Sequence, residues 1–201
     1  MAAPSHLIHL DDLLAWVAVQ RARESGEEDP LGRKTELPLA RFEDPAGWCW
    51  KASALRLMVL GQSSIVPRTM RVDYHQASIA RGKDVEFKAE KFKQGTGRYK
   101  GFDLRHEEQW VESAVAFGVG DIERVQDMLQ DIRQLGGLRK LAYGSVRQVE
   151  VEPWADEDAW RYRHLPATQD NMNAVGGLRS PYWDRTQHQP IIEPMWEIKH
   201  V

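Results

Sequence analysis

A short glycine-rich stretch, GGLRKLAYG at residues 136–144, is the feature that most constrains this sequence. It follows an apolar stripe with helical spacing and precedes a stretch of alternating polarity typical of a strand. Glycine lets the backbone approach a ligand closely and take positive φ angles. Arg139 and Lys140 supply charge for phosphates, and Tyr143 offers a flat face for a base. This order favours a nucleic-acid cradle; the alternative is a tight helix-to-strand connection with a glycine C-cap.

The composition is that of an ordinary globular protein. The 201 residues are 42% hydrophobic and 28% charged, enough for one sizeable domain or two small ones. The lone cysteine, Cys49, excludes an internal disulfide framework and favours a reducing, cytoplasmic location. We expect neither a secretory leader nor a membrane-spanning segment, because no long apolar run occurs.

Charge is unevenly distributed along the chain, although its net value is only −3. Between residues 68 and 100, nine cations stand against four acids, which gives this segment +5 and leaves −8 for the rest. The cations are Arg68, Arg71, Arg81, Lys83, Lys88, Lys91, Lys93, Arg98 and Lys100. Such a segment is typical of a surface for nucleic-acid phosphates, and Tyr74 or His75 can stack on bases or wedge them apart. The alternative is a solvated loop of mixed charge.

Hydrophobic periodicity predicts two helices and three strands. One helix runs from Leu10 to Glu24, and the other begins after an N-cap at Asp121 and reaches the double glycine. The predicted strands are Trp48 to Leu60, Glu108 to Val119 and Val146 to Val151. Three tryptophans within these strand patterns are expected in the core: Trp48, Trp50 and Trp110.

This order of elements predicts an α+β fold with a ferredoxin-like or RRM-like core, in which two helices pack on one antiparallel sheet. The core comprises residues 1–61 and 102–152, and the basic segment 62–101 is inserted into it. Residues 153–201 are rich in Trp, Pro and His and predict an irregular arm packed on the core.

Motifs for cofactor or metal chemistry are absent from the sequence. No P-loop pattern occurs, and Gly118-Val119-Gly120 lacks the third glycine of a dinucleotide fingerprint. His106 has no second histidine at the spacing of a zinc protease, and Cys49 has no cysteine partner. We therefore expect no cofactor, no metal and no catalytic residue.

Five stretches of the chain resemble, in order, the Cas5-type subunit of type IV CRISPR systems, a member of the RRM-like RAMP superfamily. These stretches are SHLIHLDDLLAW (5–16), GTGRYKGFD (95–103), FGVGDIERVQDML (117–129), GGLRKLAYGSV (136–146) and AVGGLRSPYW (174–183). The fourth resembles the family's glycine-rich loop, and the second resembles the end of its inserted thumb.

The resemblance implies a non-catalytic subunit that binds guide RNA. Such a subunit holds the 5′ handle of the crRNA, caps one end of the effector complex and contacts the first backbone subunit through its thumb. The implied partners are guide RNA, the neighbouring backbone and large subunits and, indirectly, target DNA, with no membrane. The predicted RNA-binding residues are Gly136, Gly137, Arg139, Lys140, Tyr143, Gly144, Arg147, Arg68, Arg71, Tyr74, His75, Arg81, Lys83, Lys88, Lys91, Lys93, Arg98, Lys100 and Arg179.

Two other functions stay open at this point. A metal-independent endoribonuclease of the same superfamily needs a general base and acid beside a 2′-hydroxyl. Its candidate residues are His6, His9, His75 and His106. An RNA-independent ferredoxin-like interaction protein would instead use the basic segment to bind an acidic partner. Metal-free cleavage of repeat RNA identifies the first, and absence of co-purified RNA identifies the second.

Overall fold

The computed structural model describes residues 7–70, 102–136 and 143–194. The chain divides into two compact units: Gln62–Gln109 forms one, and Met1–Gly61 together with Trp110–Val201 forms the other. Only the two ends of the smaller unit lie among the described residues, so most of the described architecture belongs to the larger unit.

Helix α1 spans Leu10–Glu24, with the bounds predicted from the sequence. Asp11 and Asp12 lie in its first turn, and Arg21 and Arg23 lie in its last, so both ends complement the helix dipole. Its apolar stripe is buried in the main core cluster, together with residues from the following loop, the first hairpin and the second helix. Burial of this stripe stabilises the helix more than its intrinsic propensity does.

A β-hairpin follows a 3₁₀ helix at Pro30–Thr35. Strands β1 (Arg41–Asp44) and β2 (Gly47–Trp50) pair antiparallel. The sequence predicted one strand from Trp48 to Leu60, but the chain leaves β2 at Trp50 and re-enters a strand only at β3, Arg56–Met70. The intervening backbone bonds to three other segments, and this ends the hairpin.

These segments form a short backbone ladder within the larger unit. The hydrogen-bonded stretches are 8–10 with 53–55, 51–53 with 117–119, and 38–40 with 119–121. At Gly120 an added Cβ would lie 2.2 Å from the Pro38 carbonyl oxygen, so the ladder accepts only glycine there. The glycine pair that resembled a partial dinucleotide fingerprint therefore belongs to this close backbone approach.

Strand β4 (Phe102–Val115) pairs with β3. The predicted strand, Glu108 to Val119, ended four residues too late because 117–121 joins the ladder instead. The tryptophan predictions had mixed outcomes: Trp50 is buried, Trp48 is half-buried, and Trp110 is 78% exposed.

Helix α2 spans Ile122–Leu129 and begins as predicted, because Asp121 Oδ1 accepts a hydrogen bond from the Arg124 backbone N–H at 3.1 Å. It ends six residues before the predicted end at Leu135, although Ile132 of the same apolar stripe is still buried. The backbone of Leu135 bonds to Gly144 instead of continuing the helix. The strand predicted from Val146 to Val151 does not form, since this stretch lies in irregular structure.

The C-terminal region contains a small antiparallel sheet of order β5-β7-β6, formed by β5 (Leu165–Pro166), β6 (Ala174–Gly176) and β7 (Gln189–Ile192). Its strands are too short to show periodicity, which is why the sequence predicted an irregular arm. A second buried cluster joins this region to the hairpin; its members are Cys49, Trp160, Leu178 and Ile191.

Helices and small antiparallel sheets are thus combined in one unit, which confirms the α+β class. The described residues form sheets of two, two and three strands, and the single four-stranded sheet of a ferredoxin-like core is not among them. No helix in these ranges is long and apolar enough to cross a membrane.

Candidate nucleic-acid interface

The glycine-rich loop is closed at its base by backbone pairing. The Leu135 N–H donates to the Gly144 carbonyl oxygen at 2.8 Å, and the Val146 N–H donates to that of Arg133 at 2.9 Å. Gly136 and Gly144 have φ angles of 83° and 67°. A Cβ on Gly144 would lie 1.8 Å from the Leu135 carbonyl oxygen, so the closure requires glycine there.

Two of the predicted RNA-binding side chains lie just after this closure. Tyr143 is half-buried, and Arg147 is exposed. The loop tip, 137–142, lies outside the described residues, and with it Gly137, Arg139 and Lys140. Their role in binding RNA stays a prediction.

Most of the basic segment also lies outside the described part of the chain. Arg68 belongs to β3, but only its backbone is described. The remaining predicted residues fall in 71–101; they are Arg71, Tyr74, His75, Arg81, Lys83, Lys88, Lys91, Lys93, Arg98 and Lys100.

Arg179 lies against the hairpin. Its guanidinium carbon is 4.1 Å from the centroid of the Trp48 ring, and its Nη1 donates to the Trp48 carbonyl oxygen at 2.8 Å. Burial lowers the pKa of Arg179, yet a guanidinium stays protonated at neutral pH. The positive charge is therefore held beside an aromatic ring.

A second arginine, which the sequence analysis missed, shares this surface. The guanidinium carbon of Arg41 is 4.6 Å from the Trp48 centroid and 5.1 Å from that of Trp50. The hairpin register explains the meeting, because Arg41 pairs with Trp50 and Glu43 pairs with Trp48. We call the surface formed by Arg41, Trp48 and Arg179 the hairpin face.

A fully buried arginine lies beneath this surface. The side chain of Arg163 is inaccessible and donates to the carbonyl oxygens of Trp50, Ala52 and Leu178 at 2.6, 2.9 and 2.6 Å. It also lies 3.3 Å from an Asp11 carboxylate oxygen. One side chain thus connects α1, the chain after β2 and the residue that precedes Arg179.

Tyr182 completes this buried network. Its hydroxyl donates to the Asp11 carboxylate at 2.8 Å and accepts from Arg163 Nη2 at 2.7 Å. Burial raises the pKa of the Tyr182 phenol well above its usual value, so the neutral hydroxyl keeps its proton. Burial also raises the pKa of the Asp11 carboxyl, and Arg163 and Tyr182 offset this only in part. The network binds parts of the fold together and leaves no donor facing solvent.

His9, a candidate base for RNA cleavage, is part of this interior. It is 1% exposed, and neither ring nitrogen has a hydrogen-bond partner. Burial, followed by the charges of Arg163 and His164, lowers the pKa of His9 well below 6.5. The proposed catalytic role of His9 is therefore wrong, because this imidazole cannot contact a 2′-hydroxyl.

The other candidate histidines give no further information about catalysis. His6 and His75 lie outside the described residues, and the side chain of His106 is not described. Within the described ranges, no three His, Cys, Asp or Glu side chains are grouped as metal ligands.

The family comparison agrees with the resemblance seen in the sequence. The model of the family CRISPR type IV associated protein Csf3 matches residues 1–194. No curated protein matches the chain. Because the family match spans nearly all of the 201 residues, the chain belongs to the CRISPR type IV associated protein Csf3 family.

Proposed function

We propose that this chain is a non-catalytic, guide-RNA-binding subunit of a cytoplasmic type IV CRISPR ribonucleoprotein complex. It holds the 5′ handle of the crRNA, caps one end of the backbone and contacts the neighbouring backbone and large subunits. Target DNA reaches it only through the complex. In this proposal the core is a modified ferredoxin-like fold, and residues 62–101 are the thumb that contacts the first backbone subunit.

The hairpin face is the observation that carries the proposal. Arg41 and Arg179 place two permanent positive charges within 4.6 Å of the centre of one half-buried ring, Trp48. Single-stranded RNA binds where cations neutralise its phosphates and where unstacked bases can stack on aromatic rings or arginine planes. The hairpin face offers both kinds of contact at one place.

The buried network gives this face a rigid support. Arg163 holds the carbonyl oxygens of Trp50 and Leu178, which are chain neighbours of the hairpin face on both sides. A site supported in this way loses less conformational entropy when it binds a ligand.

The glycine-rich loop is the second surface in the proposal. Its closed base presents Arg139 and Lys140 at the tip of a short loop, with Arg147 exposed just after it. Neither surface includes a placed general acid and base, so the proposed role is holding and not cutting.

The test is RNA binding by the purified protein, measured by fluorescence anisotropy with labelled repeat RNA over a range of salt concentrations. The double variant Arg41→Gln, Arg179→Gln should bind more weakly and should lower the salt slope by about 1.4, because each lost phosphate contact removes roughly 0.7 on a single strand. The matched control is Arg23→Gln, an exposed arginine at the end of α1 that lies outside the hairpin face. The reverse variant, Glu43→Gln, removes an acid paired with Trp48 and should strengthen binding.

A second double variant, Arg139→Ala with Lys140→Ala, asks whether the loop shares the RNA. It should lower affinity and salt slope by a similar amount. If neither double variant changes RNA affinity, or if the wild-type protein does not bind repeat RNA, the RNA-independent interaction protein replaces this proposal.

A further inference from the structure

A cleft of about 730 Å³ lies on the larger unit, between α1, the 3₁₀ helix, the β1–β2 hairpin and α2. Its apolar lining includes Leu37, Leu39 and Met128. Clefts of roughly 300–1,000 Å³ are the usual size for small-molecule sites, and a mononucleotide fits within that range.

Four arginines line this cleft, and two of them are neutralised by acids. Arg21 pairs with Asp127 and Asp131, and this pairing ties α1 to α2. Arg33 pairs with Glu27 and Glu36 on the 3₁₀ side. These ion pairs shape the walls of the cleft and add little net charge to it.

The other two, Arg41 and Arg124, have no carboxylate partner within the part of the chain that the structure describes. Arg41 donates to the Thr35 carbonyl oxygen at 3.1 Å and leaves its remaining donors available. Arg124 is exposed in the first turn of α2, where its backbone is held by the cap. The cleft therefore has an excess of two positive charges beside an apolar lining.

This combination matches a nucleoside phosphate. Arginine presents a planar fork that matches the oxygens of a phosphate, while a base and a ribose bury flat, partly apolar surface. Arg41 belongs to both the cleft and the hairpin face, so a strand lying on that face can direct a nucleotide into the cleft.

We propose that the cleft binds one nucleoside 5′-phosphate unit, with its phosphate at Arg41 and Arg124 and its base over Leu37, Leu39 and Met128. The unit is either a nucleotide of bound single-stranded RNA or a free mononucleotide. Only the first of these sources rests on the proposed function.

The test observes the cleft directly, through the Met128 methyl group in a methyl-labelled sample of the full chain. Its resonance is assigned as the one lost in Met128→Leu, among the six methionines. Adenosine monophosphate and a short single-stranded RNA are titrated separately. A shift with RNA alone identifies a strand nucleotide as the source, a shift with the mononucleotide alone identifies the free nucleotide, and either one supports the site.

Arg124→Ala supplies the variant, because Arg124 lies outside the hairpin face. It should weaken the interaction that shifts Met128 about tenfold or more, as expected when a charge-assisted contact is lost. Arg23→Ala removes the same charge from an exposed position that does not line the cleft and should leave the interaction unchanged. Equal effects of the two variants would overturn the proposal.

Two further outcomes would also overturn it. The first is a Met128 resonance that stays silent with both ligands while RNA is bound, which eliminates the cleft and leaves the hairpin face as the RNA site. The second is a shift with an Asp- and Glu-rich peptide and with neither nucleotide ligand, which makes the cleft a protein-docking site. If the wild-type chain binds no RNA at all, the proposed function fails and the mononucleotide titration still decides the cleft.

Discussion

The imidazole of His9 lies flat against the phenol ring of Tyr182, with 4.1 Å between the ring centroids and 7° between the ring planes. Because burial keeps this imidazole neutral, its pKa in the folded protein lies well below the usual 6.5. Below about pH 6.5 the unfolded chain therefore binds a proton that the folded chain does not, and the free energy of unfolding falls by up to ~1.4 kcal/mol per pH unit.

The measurement is urea unfolding at about pH 7.5 and about pH 5.5, for the wild type and for His9→Phe. The variant keeps a flat ring against Tyr182 but cannot titrate, so its stability should fall less steeply on acidification. Burial also lowers the pKa of His164, which contributes equally to both proteins. Identical pH slopes for the two proteins would contradict the assignment to His9.

Arg163→Ala should lower the free energy of unfolding by about 3–5 kcal/mol, since it leaves Asp11 as an uncompensated buried charge. Three carbonyl oxygens lose their donor at the same time. Arg161→Ala is the control, because its ion pair with Asp158 is exposed and such pairs contribute at most ~1 kcal/mol. Chemical denaturation measures both, and similar losses would show that the network does not support the fold.

Gly144→Ala should open the base of the glycine-rich loop, because the new Cβ would overlap the Leu135 carbonyl oxygen. Gly26→Ala is a matched control with a similar φ of 76° and no atom within 4 Å of the added Cβ. The control should cost about 1–2 kcal/mol for its left-handed backbone, and Gly144→Ala should cost more and also weaken RNA binding. Equal losses of thermal stability and unchanged RNA affinity would mean that the closure is unimportant.

The purified protein should leave repeat RNA intact over long incubations, with or without Mg²⁺. Removal of a true general base typically lowers a rate by ~10²–10⁴-fold, so a cutting role would be easy to detect. In cells that carry the whole system, His6→Ala, His75→Ala and His106→Ala should not change the length of the guide RNA. Loss of processing in one of these variants, with the fold and RNA binding retained, would establish the endoribonuclease instead.

Local signals explain which elements were predictable. The bounds of α1 followed from its apolar stripe and from charges that suit its dipole, both of which are encoded within a few turns. The Asp121 cap is equally local. The early end of α2 was not predictable, because the competing partner of Leu135 is Gly144, beyond a loop whose closure no periodic pattern reports.

The candidate site shows the same contrast between local and distant information. Arg179 was predicted because it lies in a glycine-rich stretch that resembles the family. Arg41 was missed because its meeting with Trp48 depends on the hairpin register, although the alternation of β1 and β2 carries that signal. Arg163 stands in a short, irregular segment, and its partner Asp11 lies 152 residues away, so no sequence pattern could connect them.

That separation has a consequence for how the protein is made. Asp11 leaves the ribosome long before Arg163 and Tyr182, its partners at sequence separations of 152 and 171 residues. During synthesis, α1 therefore carries a carboxylate whose counter-charge does not yet exist, and the interior cannot close around it. Folding of the larger unit must wait for most of the chain to be translated, and until then the nascent chain depends on chaperones to cover the apolar stripe of α1.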